Sequence, residues 1–469
     1  MANNPHARLT TLLGKRGGLE KEAFELDALD ALPEPESLKA LRHEVAVRLP
    51  QVELTEVLLE VYSWTGALAD FTHVSEARPR LDDLATSVCA VLIADACNIG
   101  LEPVARSALA PLTRSRLSHV DQNYVRAETL AAANAKLVDF QAILPLAQTW
   151  GGGHLASVDG MRFRVPVKTI HARPNPKYFG VGKGVTYLNW VSDQATGFHA
   201  IVVPGTLRDS LYALDGLLEQ ETGLRPTQIT SDTHAYTDIV FGLFYLLGYQ
   251  FSPRLARLRD RRLWRLDKDA DYGRLNGISK RKIAEGRIVA HWEDIVRVVG
   301  SLSTGAVRAS DLLRVLHGDG EPSSLGKAIS EVGRLAKSLH LLKYVDDEVY
   351  RREILGQLNL HEERHSLAAR VCYGRKGELY QRYRDGLEDQ IGALGFVLNA
   401  IALWNTRYIE LALAHLRDSG FEVRDEDVAR LSPLRSAHIN VLGRYSFELP
   451  EFVRLGALRE LHQPSAFDV

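Results

Sequence analysis

Three consecutive glycines, Gly151 to Gly153, stop a helical pattern, and the stretch that follows constrains the fold more than any other. That stretch is His154 to Val167, HLASVDGMRFRVPV. Leu155, Val158, Met161, Phe163 and Val165 supply apolar bulk, while Ala156, Ser157 and Gly160 keep the middle narrow. The period shifts towards two, so the run reads as a buried β-strand. Yet it carries Asp159. A carboxylate inside such a strand loses hydration that only a metal ion or hydrogen-bond donors restore. The same Asp159-Gly160 pair between apolar runs is also a hairpin-turn signal, and both readings stand at this point.

Downstream comes a basic, Pro- and Gly-rich loop, KTIHARPNPKYFGVGKG, then strands VTYLNWVS and GFHAIVVP joined by DQAT. A helix is predicted from about Leu207 to Glu221, with Thr206 at its start and Asp209 in its first turn. The short strand RPTQITSD ends at Asp232, and an apolar helix over 237–247 leads to a last strand, YQFSPRL. Strand, strand, strand, helix, strand, helix, strand is the order of an α/β, ribonuclease-H-like mixed-sheet core.

Around this core the sequence predicts further units. Residues 1–148 read as an all-helical scaffold domain, with Leu54, Val57, Leu58 and Val61 at helical spacing and a long Ala-rich helix over 123–144. The core's first part spans 149–265, and a helical insertion spans 266–357 with helices near 292–302, 309–316 and 324–341. Core packing helices resume over 358–432, where Asn359 opens a helix carrying Glu362 and another covers 390–417. Residues 433–469 read as an irregular tail.

Three cysteines (Cys89, Cys97, Cys372) in 469 residues exclude a disulfide framework and predict a reducing cytosol. The first residues lack the apolar segment of a signal peptide, and the longest apolar run, Ile391 to Trp404, is too short to span a bilayer. A net charge of −2, from 57 basic and 59 acidic residues, argues against a dedicated basic DNA-binding domain. Local basic clusters do exist. Lys168, His171, Arg173, Lys177 and Lys183 follow the first strand, and Arg254, Arg257, Arg259, Arg261, Arg262 and Arg265 follow the last. A solvated face and a phosphate-contacting surface are both consistent with such runs.

The candidate chemistry rests on Asp159, Asp232 and Glu362. Each has a local structural explanation as well. Asp232, between a strand and a helix, fits an N-cap, and Glu362 stands at the capping-box offset from Asn359. Together, two Asp and a Glu on a strand, an adjacent strand end and a helix would suit two hard divalent cations about 3.5–4 Å apart, the arrangement for phosphoryl transfer. A competitor occupies the same residues. His361-Glu362-Glu363-Arg364-His365 matches H-E-x-x-H, a zinc metallopeptidase signature, with Glu388 an imaginable third ligand. The charged middle pair, Glu363 and Arg364, fits a buried zinc helix poorly.

The segments VDGMRFRV, NPKYFGVGKGVTYLN, SDQATGFHAIVVPGTLRDSLY, SDTHAYTDIVFGLFYLLGY, LNLHEERHSLAA, GLEDQIGALGFVLNAIALWNTRY and HINVLGRYSFELP resemble the C-terminal catalytic half of the Tn-three family of replicative, DDE-type DNA transposases. The resemblance covers almost the whole chain. It implies a catalytic, metal-binding triad of Asp159, Asp232 and Glu362, with Glu363 as the alternative in the wrong register. It implies two Mg²⁺ or Mn²⁺ ions, Asp159 bridging both and Asp232 and Glu362 each holding one. The implied reaction nicks DNA at transposon ends and joins the freed 3′-OH to a target duplex. Lys168, Arg173, Lys177, Lys183, Arg254, Arg257, Arg261 and Arg262 are the expected DNA contacts. Expected partners are DNA, a second copy of the chain or full-length transposase, in a bacterial cytoplasm at the nucleoid and with no membrane. The family's N-terminal inverted-repeat-binding half has no counterpart in this sequence, so a truncated regulator of full-length transposase is the alternative to an active enzyme.

Overall fold

Alternation of small and large apolar residues draws His154 onward into one unbroken strand, β1 (Leu155–Arg164). The computed structural model describes residues 7–13, 20–75, 81–205, 212–232, 236–318, 321–443 and 445–463. Beside β1 lie β2 (Lys183–Ser192), β3 (Gly197–Pro204), β4 (Gln228–Ser231) and β5 (Gln250–Phe251). Their spatial order is β3-β2-β1-β4-β5, and the two-residue strand Arg173–Pro174 pairs with the start of β2. β2 is antiparallel to both β1 and β3, whereas β4 and β5 run parallel to β1. The β1–β2 register sets Asp159 opposite Asn189 and Val158 opposite Trp190.

Both faces of the sheet are covered, which is why β2 is buried along nearly its whole length. On one face Phe163, Val185, Tyr187 and Val202 join a core with helices α1 (Ala127–Ala142) and, later in the chain, the long helix Arg384–Asp418. On the other, Val158, Leu188, Trp190 and Ile229 meet α2 (Asp238–Leu246) and α3 (Ser324–Asp346). Trp190 and Trp404 are both core residues, as their apolar surroundings in the sequence suggest. The next helix, α4 (Glu348–Val371), is capped by Asp347, whose Oδ1 accepts from the Tyr350 N–H at 3.0 Å. It crosses β1 and carries the candidate glutamate; Arg384–Asp418 is α5.

Gly242 of α2 and Gly333 of α3 let these two backbones touch. A methyl on Gly333 would fall inside van der Waals distance of the Asp238 carbonyl oxygen. Gly333→Ala is therefore expected to cost about 1–3 kcal/mol through overpacking, measured by thermal denaturation. An unchanged melting temperature would mean the two helices do not pack this closely.

Several local expectations change in the fold. The N-terminal region is not all-helical. Ala7–Leu13 and Glu20–Leu26 form an antiparallel hairpin, and Val52–Glu53 pairs in parallel with Ile439–Asn440. Phe24 is buried with Leu255, Leu263, Ile278 and Leu341, so the hairpin's partners lie hundreds of residues away and leave no local signal. The expected helix near 207–221 is a single turn, Asp215–Leu218, in the described part; Thr206 and Asp209 lie outside the described residues. Asp215 instead anchors the Ser310 N–H at 2.9 Å. The Ala-rich helix expected over 123–144 does form, as α1, and a separate helix, Arg114–Asn123, precedes it. Asn359 opens no helix. It lies inside α4, so a helix start cannot explain Glu362. No described helix is long and apolar enough to cross a membrane.

Candidate active site

Asp159 sits at the centre of β1, in continuous pairing with Asn189, so the Asp-Gly turn is excluded. Its side chain keeps 24% of its surface exposed. The Gly160 N–H donates to Oδ1 at 2.7 Å, which satisfies one carboxylate oxygen locally. Burial pushes the carboxyl above its usual range; the Gly160 N–H and Arg162 oppose that shift, and the charge of Asp232 adds to it.

Asp232 follows the last residue of β4, the strand hydrogen-bonded to β1, and is exposed. It does not cap α2. That role belongs to Thr237, whose side chain accepts from the Val240 N–H. Glu362 projects from the middle of α4 and is exposed. Ligand atoms of Asp159, Glu362 and His365 all lie within 4.8 Å of one another. Strand centre and helix thus bring Asp159 and Glu362 together, and Asp232 follows the end of the neighbouring strand, outside this tightest group.

His365 is the residue that sequence reasoning missed in this role. Its Nδ1 stands 3.9 Å from Asp159 Oδ2 and its Nε2 3.2 Å from the Asn189 side-chain amide. Burial, reinforced by Arg364 and Arg162 against the opposing charge of Glu362, pushes its pKa down to about 4. The imidazole is neutral at neutral pH. The offset from Glu362 to His365 places both on one helix face, a legible signal that H-E-x-x-H assigned to a different chemistry.

The zinc-peptidase arrangement is not assembled. His361 is 1% exposed, points its Nδ1 at Ser157 Oγ at 2.7 Å, and packs edge-on against His365. It lies outside the cluster of ligand atoms. Gln357 joins this group by donating to Ser157 Oγ and to the Val191 carbonyl. Glu388 pairs with Arg384 one turn away on its own helix. Glu363, the alternative register, accepts from Ser432 Oγ at 2.8 Å on another side of α4. Arg364 is fully buried and donates to the carbonyls of Ala195 and Gly395, which ties α4 to the β2–β3 turn and to α5.

Residues 56–445 match the family model described as the Tn3 transposase DDE domain. The chain belongs to this family. It is 54% identical over 440 residues to the transposase for transposon gamma-delta of Escherichia coli (strain K12), covering 94% of this chain and 44% of that relative. The transposase for transposon Tn4556 of Streptomyces fradiae is 55% identical, covering 94% of this chain and 49% of its own length. The transposase for transposon Tn1546 of Enterococcus faecium is 35% identical over 94% of this chain and 44% of its own. The chain therefore spans less than half the length of each of these relatives.

In this Tn3-family chain the basic residues divide into exposed and engaged groups. Lys168, Arg173, Lys177, Arg254 and Arg257 are exposed. Lys183 donates to the Thr169 carbonyl, Arg261 to Ala256 and Arg262 to Arg259 and Arg261, so these three partly serve the backbone. Arg259 pairs with Glu25, and Arg265 is buried among four hydrogen-bond acceptors. Arg254 follows β5 beside the strand that precedes Asp232, its backbone N–H bonded to the Ser231 carbonyl. Arg162 stacks over Tyr178, 4.0 Å from the ring centre.

Proposed function

We propose that this chain carries the catalytic centre of a DNA transposase, with Asp159, Asp232 and Glu362 holding divalent cations for phosphodiester cleavage and 3′-OH strand transfer. The observation that carries this reading is the convergence of Asp159 and Glu362, from a strand centre and a crossing helix, beside a strand that Asp232 directly follows. The strand order β3-β2-β1-β4-β5, with three antiparallel strands and two parallel ones, supports a ribonuclease-H-like core within the family fold. An insertion would then begin near residue 266 and include α3, which braces the sheet, and the chain would return to the core along α4, whose unbroken run from Glu348 replaces the boundary expected at 358.

The donor set fits Mg²⁺ or Mn²⁺, because its acidic members are carboxylates and hard cations take oxygen ligands. A bound divalent cation polarises a phosphoryl oxygen and favours the ionised nucleophile, and two such ions serve attacking and leaving oxygens. The protein's own residues do the rest. The Gly160 N–H orients Asp159 so that its second oxygen faces Glu362 and His365. The flanking β4 sets Asp232 alongside, and buried Arg364 and His361 hold α4 against the sheet and so fix the reach of Glu362.

The test is direct. The purified chain, incubated with Mg²⁺ or Mn²⁺ and duplex DNA bearing the terminal repeats of the gamma-delta transposon, should produce nicks ending in 3′-OH and joined products with target plasmid. Metal-independent or absent cleavage by a folded, metal-binding chain would overturn the catalytic reading.

DNA binding would come from exposed cations, chiefly Arg254 and Arg257 together with Lys168, Arg173 and Lys177. Lys183, Arg261 and Arg262 would contribute less, since their guanidinium or ammonium groups already serve carbonyls. Changing Arg254 and Arg257 to Ala should flatten the slope of log K against log salt by about 0.9 for each phosphate no longer neutralised, alike for all sequences. An unchanged slope in filter binding or fluorescence anisotropy would place the DNA elsewhere.

A further inference from the structure

The three acids leave His365 unexplained, although it, and not Asp232, shares the tight group with Asp159 and Glu362. An imidazole among metal-binding carboxylates has two uses. It either bonds to them as a structural partner, or it offers its own nitrogen to the same cation. In the first case Nδ1–H should lie at hydrogen-bond distance from a carboxylate oxygen. It lies 3.9 Å from Asp159 Oδ2, beyond that range but suited to sharing an ion placed between them.

Asn189 supplies the second observation. Asn189 is 2% exposed, and its buried Oδ1 has no hydrogen-bond partner among the described residues. Its amide nitrogen faces both His365 Nε2, at 3.2 Å, and the Asp159 carbonyl, at 3.3 Å. Amide nitrogen and oxygen have nearly the same shape. Turning the amide over gives Oδ1 the Nε2–H of His365 as its partner, in exchange for the Nδ2–H donation to the Asp159 carbonyl. It also fixes the tautomer that leaves the Nδ1 lone pair free towards Asp159 and Glu362. A metal-bound histidine commonly donates its other N–H to a buried acceptor in this way. The register pairing of Asp159 with Asn189 therefore places a ligand and the orienter of another ligand on adjacent strands.

We infer that His365 is a fourth protein ligand, giving the cation held by Asp159 and Glu362 one nitrogen through Nδ1, with Asn189 as its orienting partner. The inference rests on the proposed carboxylate site and adds to it a mixed oxygen–nitrogen sphere. Such a sphere favours Mn²⁺ over Mg²⁺ more than oxygen ligands alone would.

The experiment uses the full chain loaded with Mn²⁺, read by electron spin echo envelope modulation rather than by activity. The wild type should show nitrogen modulation from a bound imidazole, and labelling all histidines with ¹⁵N should change its frequencies. His365→Gln should bind Mn²⁺ yet lose the nitrogen signal, whereas His361→Gln should keep it. Asn189→Leu should weaken Mn²⁺ binding by ~10–100-fold, the range for losing an orienting partner. If Mn²⁺ binds the wild type and Asp159→Asn abolishes that binding, but no ¹⁵N-sensitive modulation appears, His365 is not a ligand and the carboxylate site still stands. If Mn²⁺ does not bind, or binds Asp159→Asn equally well, the carboxylate site itself fails. The labelled wild type needs no substitution, so a variant that fails to fold does not decide the matter.

Discussion

Asp159→Asn should reduce DNA cleavage and strand transfer by ~10³-fold or more without unfolding the protein. Charge stabilisation by a catalytic cation is worth several kcal/mol, and each ~1.4 kcal/mol is tenfold in rate. Asparagine keeps an oxygen for the Gly160 N–H but gives up the anionic oxygen that faces Glu362 and His365. The effect on stability has the opposite sign. Burial raises the Asp159 carboxyl pKa, so the folded state binds this proton more tightly than the unfolded chain does. The stabilisation from protonation is present at low pH and is lost as pH rises through the raised pKa. At neutral pH, in the absence of metal, the buried charge is thus a cost that asparagine removes. The variant should melt no lower than the wild type, and its stability should lack that pH dependence. Retained cleavage in the variant, measured on the same DNA at saturating metal, would remove Asp159 from the chemistry. A large fall in melting temperature would make it a structural residue instead.

Glu60→Ala should destabilise the chain by about 3–5 kcal/mol, the cost of removing one partner from a buried ion pair. Glu60 is 0% exposed in the helix Leu54–Thr65. It accepts from Trp404 Nε1 at 3.1 Å, from the Tyr408 hydroxyl and from Arg459 Nε at 3.0 Å. Tyr408 in turn accepts from the Arg459 backbone N–H, and Arg459 reaches Glu56 with its other arm. The alanine would leave an indole N–H and a hydroxyl buried without their acceptor and Arg459 with Glu56 alone. Glu60→Gln, which keeps an acceptor, should lose less. Urea denaturation followed by tryptophan fluorescence measures both, and a loss below ~1 kcal/mol for the alanine would show that the network does not hold α5 to the N-terminal helices. Most proteins have only about 5–15 kcal/mol in total, so the full effect would be large.

Sequence reading reaches the acids but misreads how they are supported. Asp159 is visible because an acid in an apolar, period-two run is an anomaly wherever it occurs. Glu362 is visible only among rival explanations, and the capping-box reading fails because α4 already begins at Glu348. Little local distinguishes Asn359 inside a helix from Asn359 at its start: the residues before it, REILGQL, are good helix formers apart from Gly356, which itself reads as a break before Asn359. The basic run after β5 is legible as charge alone. Arg254 and Arg265 look alike in sequence, yet one is exposed beside β4 and the other is sequestered by Lys268, Ala270, Asn276 and Ser279.

Local order, by itself, determined the period change at Gly151, the succession of strands and helices through β5, and the acids at its strand and helix positions. These follow from steric and solvation preferences that act over a few residues, and they are written into the chain wherever it goes. The register that sets Asp159 against Asn189 was decided only by tertiary structure, as was the rotation of α4 that turns Glu362 and His365 towards the strand while burying His361 and Arg364. A strand can slip by two residues, or a helix turn about its axis, without changing any local preference. The choice is made by pairings such as His361 with Ser157 and Arg364 with Ala195, between residues far apart in the chain, and it exists only once the sheet and helix have met.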